Sequence, residues 1–454
     1  MEMELTISLA VKVDESGANL NEICAAVAET VRGELAVRVT EEVIEGLQDD
    51  IRDRLCTASG GRAKKGFGSH EGKEGQGRCR IRTFVKQGYR PEERRVKTDV
   101  GKISFRVGYV ECTGCEKKFS PIMEVLAIEP KVKHTTGLER VASEAVMKTS
   151  YQRGEEEIVG WGAAPVPKSS AHRWVVGREL PASEVKAIQT GMADGTKFKK
   201  WPGERGELRI VIGLGKDQKV RPVGVWAGTS WGEIGKEVRK ILRTGQEDEV
   251  QLKLFAEDGE RGIDKHLASV ADESQRCIWH LPRDLGYAMW EDKAPLSERR
   301  QKSGELAGLV GMEIPVQDWE QIQVADKTKL QEQVDKSETE IQKMIGEFRE
   351  KGYQKAVTYL ENACGKIFSH IELWLETGIV APRTTSILEN IMRELGRRVK
   401  KLGWNWSDEG VEQMAKMVMM RRYDREAWNA YWKKELGLRD RCTITIKEVR
   451  RHVA

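Results

Sequence analysis

Val250–Leu285, VQLKLFAEDGERGIDKHLASVADESQRCIWHLPRDL, packs a strand, an acidic turn, a helix and a Cys/His pair into one segment, and the rest of the chain can be placed around it. Val250, Leu252 and Leu254 alternate with Gln251 and Lys253, the period of a half-buried strand, and Glu257-Asp258-Gly259 ends the run with a glycine that permits a sharp exit. Asp258 is therefore expected at the C-terminal end of a strand, where sites gather in open α/β sheets. Ile263, Leu267 and Val270 follow at helical spacing. Arg276 to His280 is expected to form a second short strand before a helix that opens near Pro282.

Upstream, the pattern is that of strands. KAIQTGMADGTKF, ELRIVIGLG and RPVGVWAG are three short strands, and a helix from Trp231 to Leu242 leads into the opening stretch. Three strands followed by strand–helix alternation describe a mixed sheet with helices packed on it. The first strand is expected to end at Asp194 as the fourth ends at Asp258, so that two carboxylates at adjacent strand ends can converge on one metal. Alternation along the fourth strand turns Glu257, the neighbouring rival, to the opposite side of the sheet.

Downstream, Leu330, Val334, Ser337, Ile341, Met344 and Phe348, then Ala356, Leu360, Ala363, Ile367, Ile371 and Trp374, predict two long helices with a hairpin at Gly352. The last strong pattern is APRTTSILENIMRELGRRVKKLGWNW, where Leu388, Ile391, Leu395, Val399 and Leu402 line one face of a helix. Glu389 lies off that stripe on a face shared with Arg393, Arg397 and Lys400, and Arg398 and Lys401 add to the basic strip. Ser386 and Glu389 also have the spacing of a capping box, and Trp404 and Trp406 fit packing better than base stacking.

The first part of the chain differs in composition. Residues 1–59 predict a strand over Leu5–Val11 and then helices, and glycines crowd the stretch from Gly60 to Gly77. Residues 61–120 carry 16 Lys/Arg against 7 Asp/Glu, although the net charge of the whole chain is only +4. Such a basic module suggests a polyanionic partner, with Arg78, Arg80, Arg82, Arg94 and Arg95 as phosphate-binding candidates. Within it Cys79, Cys112 and Cys115 supply three soft ligands, with His70 as a fourth, in the manner of a zinc ribbon that has lost part of one knuckle. Three ordinary thiols are the alternative. Residues 136–182 predict compact helices, and the segment from Lys168 to Trp174 puts Arg173 on a first turn, as a helix-turn-helix does; a plain bundle has the same pattern.

With 454 residues, 39% apolar and 33% charged, the chain is expected to hold two to four soluble domains. No apolar run reaches the roughly eighteen residues of a membrane helix, and the N-terminus lacks the basic start of a signal peptide, so an intracellular protein with no membrane partner is expected. Eight scattered cysteines do not make a disulfide framework in a chain of this length.

The constellation Asp194-Gly195-Thr196, Glu257-Asp258-Gly259, Arg276-Cys277-Ile278-Trp279-His280 and Thr384-Thr385-Ser386-Ile387-Leu388-Glu389 resembles the DDE transposases of prokaryotic insertion sequences in the Mutator-like superfamily. The specific parts are the Cys-x-x-His after the second Asp and the Thr-Thr-x-x-x-Glu opening the last helix. The resemblance covers residues 185–420; the zinc-ribbon-like block and Ser120-Pro121-Ile122 are similar more loosely. It implies a ribonuclease-H-like mixed sheet (183–300) interrupted by an α-helical insertion (301–380) and completed by C-terminal helices (381–454), after zinc-ribbon-like (60–135) and helical (136–182) DNA-binding modules. It further implies that Asp194, Asp258 and Glu389 bind Mg²⁺ or Mn²⁺ and catalyse strand transfer at the ends of a mobile element. Double-stranded DNA would be the partner, a homodimer or higher assembly the active form, and the nucleoid of a prokaryotic cytoplasm the location. Cys277 and His280 are expected to be structural rather than metal ligands. A domesticated, non-catalytic DNA-binding descendant or a ribonuclease-H-like nuclease without strand transfer are the alternatives.

Overall fold

The computed structural model describes residues 5, 7, 19–56, 70–71, 78–79, 83–129, 131–181, 185, 188–243, 252–315, 319–402, 405–439 and 442–445. The strand expected over Leu5–Val11, most of the glycine-rich stretch, Arg80, Arg82, Val250 and Trp404 lie outside these residues, as do the side chains of His70 and Arg78. The chain divides into two compact units, 1–174 with 435–454, and 175–434, in place of the six segments expected.

The first unit opens with α1 (Leu20–Thr30) and α2 (Ala36–Cys56). Short strands follow: β1 (His70–Glu71), β2 (Arg78–Cys79), β3 (Phe84–Tyr89), β4 (Arg94–Thr98), β5 (Gly101–Phe105), β6 (Gly108–Cys112) and β7 (Lys118–Phe119). They pair as the antiparallel sets β1-β2, β3-β6-β7 and β4-β5. One face of α2 lies on this layer because Ile44 and Leu55 meet two small cores, Val96, Ile103, Phe105, Val107 and Ile122 in one, Phe84, Val110, Cys112 and Cys115 in the other. Gln48 fixes the register of α2 by donating to the Arg106 carbonyl (3.0 Å) and accepting from the Gly108 amide (2.7 Å). The unit continues through α3 (Pro121–Val125), α4 (Thr136–Lys148), α5 (Tyr151–Gly160) and α6 (Lys168–Val176). Thr135 and Ser150 cap α4 and α5 by accepting the amides of Leu138 and Arg153.

The second unit is built on a five-stranded mixed sheet. Its strands are β8 (Ile188–Lys199), β9 (Arg205–Gly215), β10 (Val220–Ala227), β11 (Leu252–Glu257) and β12 (Ala271–Arg276), in spatial order β10-β9-β8-β11-β12. β9 runs antiparallel to both its neighbours, while β8, β11 and β12 are parallel. The crossovers carry α7 (Trp231–Arg243) between β10 and β11 and α8 (Arg261–His266) between β11 and β12. One face of the sheet packs Ala193, Val211 and Phe255 against Trp231, Ile234, Val238, Ile263 and Leu267 from those helices.

After β12 come α9 (His280–Glu291), α10 (Leu296–Val310), α11 (Val324–Glu350), α12 (Gln354–Ala363) and α13 (Ser369–Thr377). They share a core of their own, including Leu281, Leu285, Met289, Leu306, Ile341, Ile345, Phe348, Leu360 and Trp374. The helical block therefore begins at α9, well before residue 301. Gly352, at φ 77°, makes the turn expected after α11. The second long helix, however, is two, broken at Cys364–Phe368 where Gly365 takes φ 76°. The chain then returns to the sheet: α14 (Ser386–Gly396) packs on β8, α15 (Asp408–Tyr423) on β10 and β9, and α16 (Arg425–Glu435) closes the unit.

Two strand boundaries differ from expectation. β8 does not end at Asp194 but runs five residues further, because its hairpin with β9 continues to Lys199↔Arg205. β12 is Ala271–Arg276, so Cys277–Trp279 is a turn and α9 opens at His280. ADESQR lacks apolar alternation because, as an edge strand, it buries little beyond Ala271 and Gln275. Phe255, fully buried between sheet and α7, is the most sensitive point of this architecture. Phe255→Ala should lower the unfolding free energy of the chain by about 3–5 kcal/mol, read as a shift of the urea midpoint at unchanged slope.

Candidate active site

Asp194 and Asp258 occupy equivalent heights on neighbouring strands. The parallel pairing Leu254↔Thr190, Phe255↔Gly191 and Ala256↔Met192, carried on by two residues, sets Asp258 beside Asp194. Pairing of β8 with β11 stops at this level, so the end of β11, rather than of β8, opens the site. Both acids continue the face of Met192, Leu254 and Ala256, which lies away from α7 and toward α14. The turn after β11 needs Gly259, whose φ of 103° is foreign to other residues and whose Cα lies against the Arg276 guanidinium. Asp258 Oδ1 accepts the Glu260 amide (3.0 Å), and Asp194 Oδ1 accepts the amide of Gly195 (2.7 Å).

Glu257 points to the other face, as alternation requires. It is 1% exposed and is held by Arg276 Nη1 at 3.2 Å from each carboxylate oxygen, so it is a buried ion pair and not a rival site residue. Burial pushes its carboxyl up, against the pull of Arg276.

Glu389 arrives on α14 from beyond the helical block. Its carboxylate does not close a capping box with Ser386: the N-cap of α14 is Thr385, and no side chain caps this end. Instead Glu389 Oε1 faces His280 Nε2 at 3.5 Å. The other ring nitrogen, Nδ1, meets Thr385 Oγ1 at 3.4 Å, and Thr385 also directs its amide (3.4 Å) and hydroxyl (3.5 Å) to Cys277 Sγ. Burial pushes the Cys277 thiol up, but hydrogen bonds from His280 and Thr385 outweigh it and leave the thiol below its ordinary value; the same contact with Cys277 raises His280. Cys277 and His280 thus tie the end of β12 to the start of α14. The Cys-x-x-His spacing brings Cys277 and His280 together locally, but it carries no signal for Thr385, which stands 108 residues beyond Cys277.

Electrostatically the site is under-neutralised. Burial, and then the charge of Asp258, push the Asp194 carboxyl up to about 6, with Glu260 adding to the effect. Glu260, a fourth acid that sequence patterning did not single out, is itself raised by burial and accepts a hydrogen bond from the Trp231 indole (2.6 Å). Desolvated carboxylates crowded in this way fit a divalent cation, whose charge would reverse the penalty. The ligand atoms of Asp194, Asp258 and Glu389 do not all lie within 4.8 Å of one another; among the described residues the group that meets this condition is Cys79, Cys112 and Cys115.

That thiol group could hold a metal ion, with Cys79 and Cys112 sulfurs 3.8 Å apart. His70 is the backbone partner of Cys79 in the β1-β2 pair, and Cys56, at the end of α2, packs against the same cluster. Cys56 was not visible as a neighbour in sequence, because it stands before the glycine-rich stretch.

The basic candidates separate by role. Arg95, Arg173, Arg393, Arg397 and Lys400 are exposed. Arg94 is half-buried and donates to the carbonyls of Glu129 and Val132, so it braces a loop. Arg398 is buried with its guanidinium 4.7 Å from the Trp406 ring centroid, and Trp406 is core, as expected. No family model matches this chain, and no curated protein matches it in sequence.

The raised carboxyl of Asp194 has a thermodynamic consequence. An unfolded aspartate titrates near 3.8 and this one near 6, so the folded chain holds the proton over that interval. The stability contributed by this group is full below about pH 4 and is lost as pH rises to about 6. Without added divalent metal, Asp194→Asn should leave stability unchanged near pH 4 and raise it by on the order of 2 kcal/mol at pH 7, measured by urea unfolding at the two pH values. An equal effect at both would refute the assignment.

Proposed function

We propose that the chain is a DDE transposase, a metal-dependent polynucleotidyl transferase that cleaves and joins DNA at the ends of a mobile element. One observation carries this reading: two aspartates in register on adjacent parallel strands, and a glutamate returned to them from beyond a helical block by the Cys277–Thr385–His280 tie. The strand order β10-β9-β8-β11-β12, with only β9 antiparallel, supports the ribonuclease-H-like reading of the sheet, and α9–α13 supports that of the helical insertion.

Asp194, Asp258 and Glu389 would hold Mg²⁺ or Mn²⁺, since carboxylate oxygens are the hard ligands such ions take. With two such ions bound, the chemistry supplied is activation of an attacking water or 3′-hydroxyl and stabilisation of the leaving oxygen in an in-line displacement. A spacing too wide for one shared ion suits that division, in which the acids serve different ions. His280, oriented by Thr385, holds the Glu389 carboxylate toward the aspartates. Arg393, Arg397 and Lys400, exposed on and just after the helix that carries Glu389, would take DNA phosphates, as would Arg95 and Arg173 in the first unit. Joining two ends calls for two copies of the chain, acting on DNA in a prokaryotic cytoplasm.

For the cysteine group the ion that fits is zinc. Two sulfurs each about 2.3 Å from a tetrahedral zinc stand about 3.8 Å apart, the Cys79–Cys112 separation. A zinc there would fix β2 to the β3-β6-β7 sheet.

Two measurements test the reading. With DNA carrying the element's ends and Mg²⁺, Asp194→Asn, Asp258→Asn and Glu389→Gln should each lose strand joining by roughly a thousandfold, as loss of several kcal/mol of charge stabilisation requires; wild-type joining by any of them would sink the triad. Purified chain should carry one zinc by atomic emission, and Cys112→Ser should lose it and melt at a lower temperature, whereas full metal content in that variant would exclude the thiol site.

A further inference from the structure

α9 begins at His280, and its inner face is apolar and buried: Leu281, Leu285 and Met289 are each 0% exposed. Its outer face is aromatic as well. Trp279, Tyr287 and Trp290 are 73%, 62% and 61% exposed, and Arg283 stands among them, also exposed. At about 100° per residue these four fall within an arc of roughly 80°, centred opposite the buried stripe. Large aromatic side chains are rarely so exposed, and three on one helix face form an apolar patch of a size that marks an interaction site.

The position of the stripe identifies the occupant. Trp279 directly precedes His280, which faces Glu389, and Arg283 lies close enough to Asp258 for that carboxylate to favour its charge. From there the stripe extends about 16 Å away from the acids along α9. Arg283 is oriented by the Asp284 carboxylate, with Nε 2.7 Å and Nη2 3.1 Å from its two oxygens. A cation flanked by aromatic faces matches a phosphodiester strand whose bases are free to stack. Paired bases in a duplex keep their faces covered and offer only edges and phosphates.

We infer that the Trp279–Arg283–Tyr287–Trp290 face binds unpaired nucleotides next to the phosphodiester being cut, stacking their bases on the three rings. This rests on the transposase reading for the strand's identity. It gives that reading a substrate feature, an opened or frayed DNA end in place of a closed duplex.

The test uses the full chain without added magnesium, so that no cleavage intervenes. Fluorescence anisotropy would compare a short labelled oligothymidylate with a duplex of mixed sequence. Tyr287→Ala and Trp290→Ala should each weaken oligothymidylate binding roughly tenfold and duplex binding by less than about twofold. Absence of oligothymidylate binding in the wild type, unchanged affinity in both variants, or equal weakening toward both DNAs would overturn the inference. So would a change from dimer to monomer in Trp290→Ala by analytical ultracentrifugation, which would make the stripe a contact between copies. Failure of the triad in strand joining with intact stripe-dependent binding would remove the transposase reading alone; normal triad dependence with stripe-independent binding would remove this inference alone.

Discussion

The second unit depends on one polar tie between segments far apart in sequence. The sheet is complete at β12, yet Glu389 lies 113 residues beyond Arg276, with five helices and a separate core in between. The chain is returned by hydrogen bonds that leave little slack. The Ile278 amide donates to the Arg383 carbonyl at 3.1 Å, and Thr385 directs amide and hydroxyl to the Cys277 sulfur. A second seam closes the other side: Gln275, fully buried, donates to the Ile367 carbonyl (2.8 Å) and accepts the His370 amide (2.9 Å). Buried polar groups are costly unless paired, so these bonds fix one arrangement of helical block against sheet where apolar packing alone would tolerate several.

The same logic separates the two adjacent acids of Glu257-Asp258. Glu257 faces the side of the sheet away from α14 and is neutralised by Arg276, whereas Asp258 and Asp194 face α14 with no cation in direct contact. Arg276 also fills the space above Gly259, so one guanidinium both pairs the structural carboxylate and requires the glycine of the turn. A region that pairs its structural charge and leaves two carboxylates desolvated side by side is arranged to receive a cation, because the folding penalty of the raised Asp194 carboxyl is recovered on binding.

Much of this is legible from periodicity. The strands around Asp194 and Asp258, the stripe of α14, the hairpin at Gly352 and the orientation of Glu257 all follow from period-two and period-3.6 patterns. The departures fall where local pattern is weak. ADESQR has no alternation to find, so periodicity shifts β12 onto the apolar residues after it. Asp-Gly resembles a turn and would end β8 at Asp194, while pairing with β9 overrides that preference. Ser386 and Glu389 have capping-box spacing, but Thr385 is the N-cap and the glutamate turns to His280.

By itself the sequence determined which residues are acidic, soft or aromatic, and the spacing that makes each element form, since local sterics and one-sided burial act over a few residues. Tertiary structure alone decided which of them meet. That Cys277 and His280 hold Thr385 and face Glu389, that Cys56 joins Cys79, Cys112 and Cys115, and that Arg94 and Arg398 are spent on internal contacts all depend on chain return over tens to more than a hundred residues. Such closures are set by the summed packing of whole elements, and no local pattern encodes them.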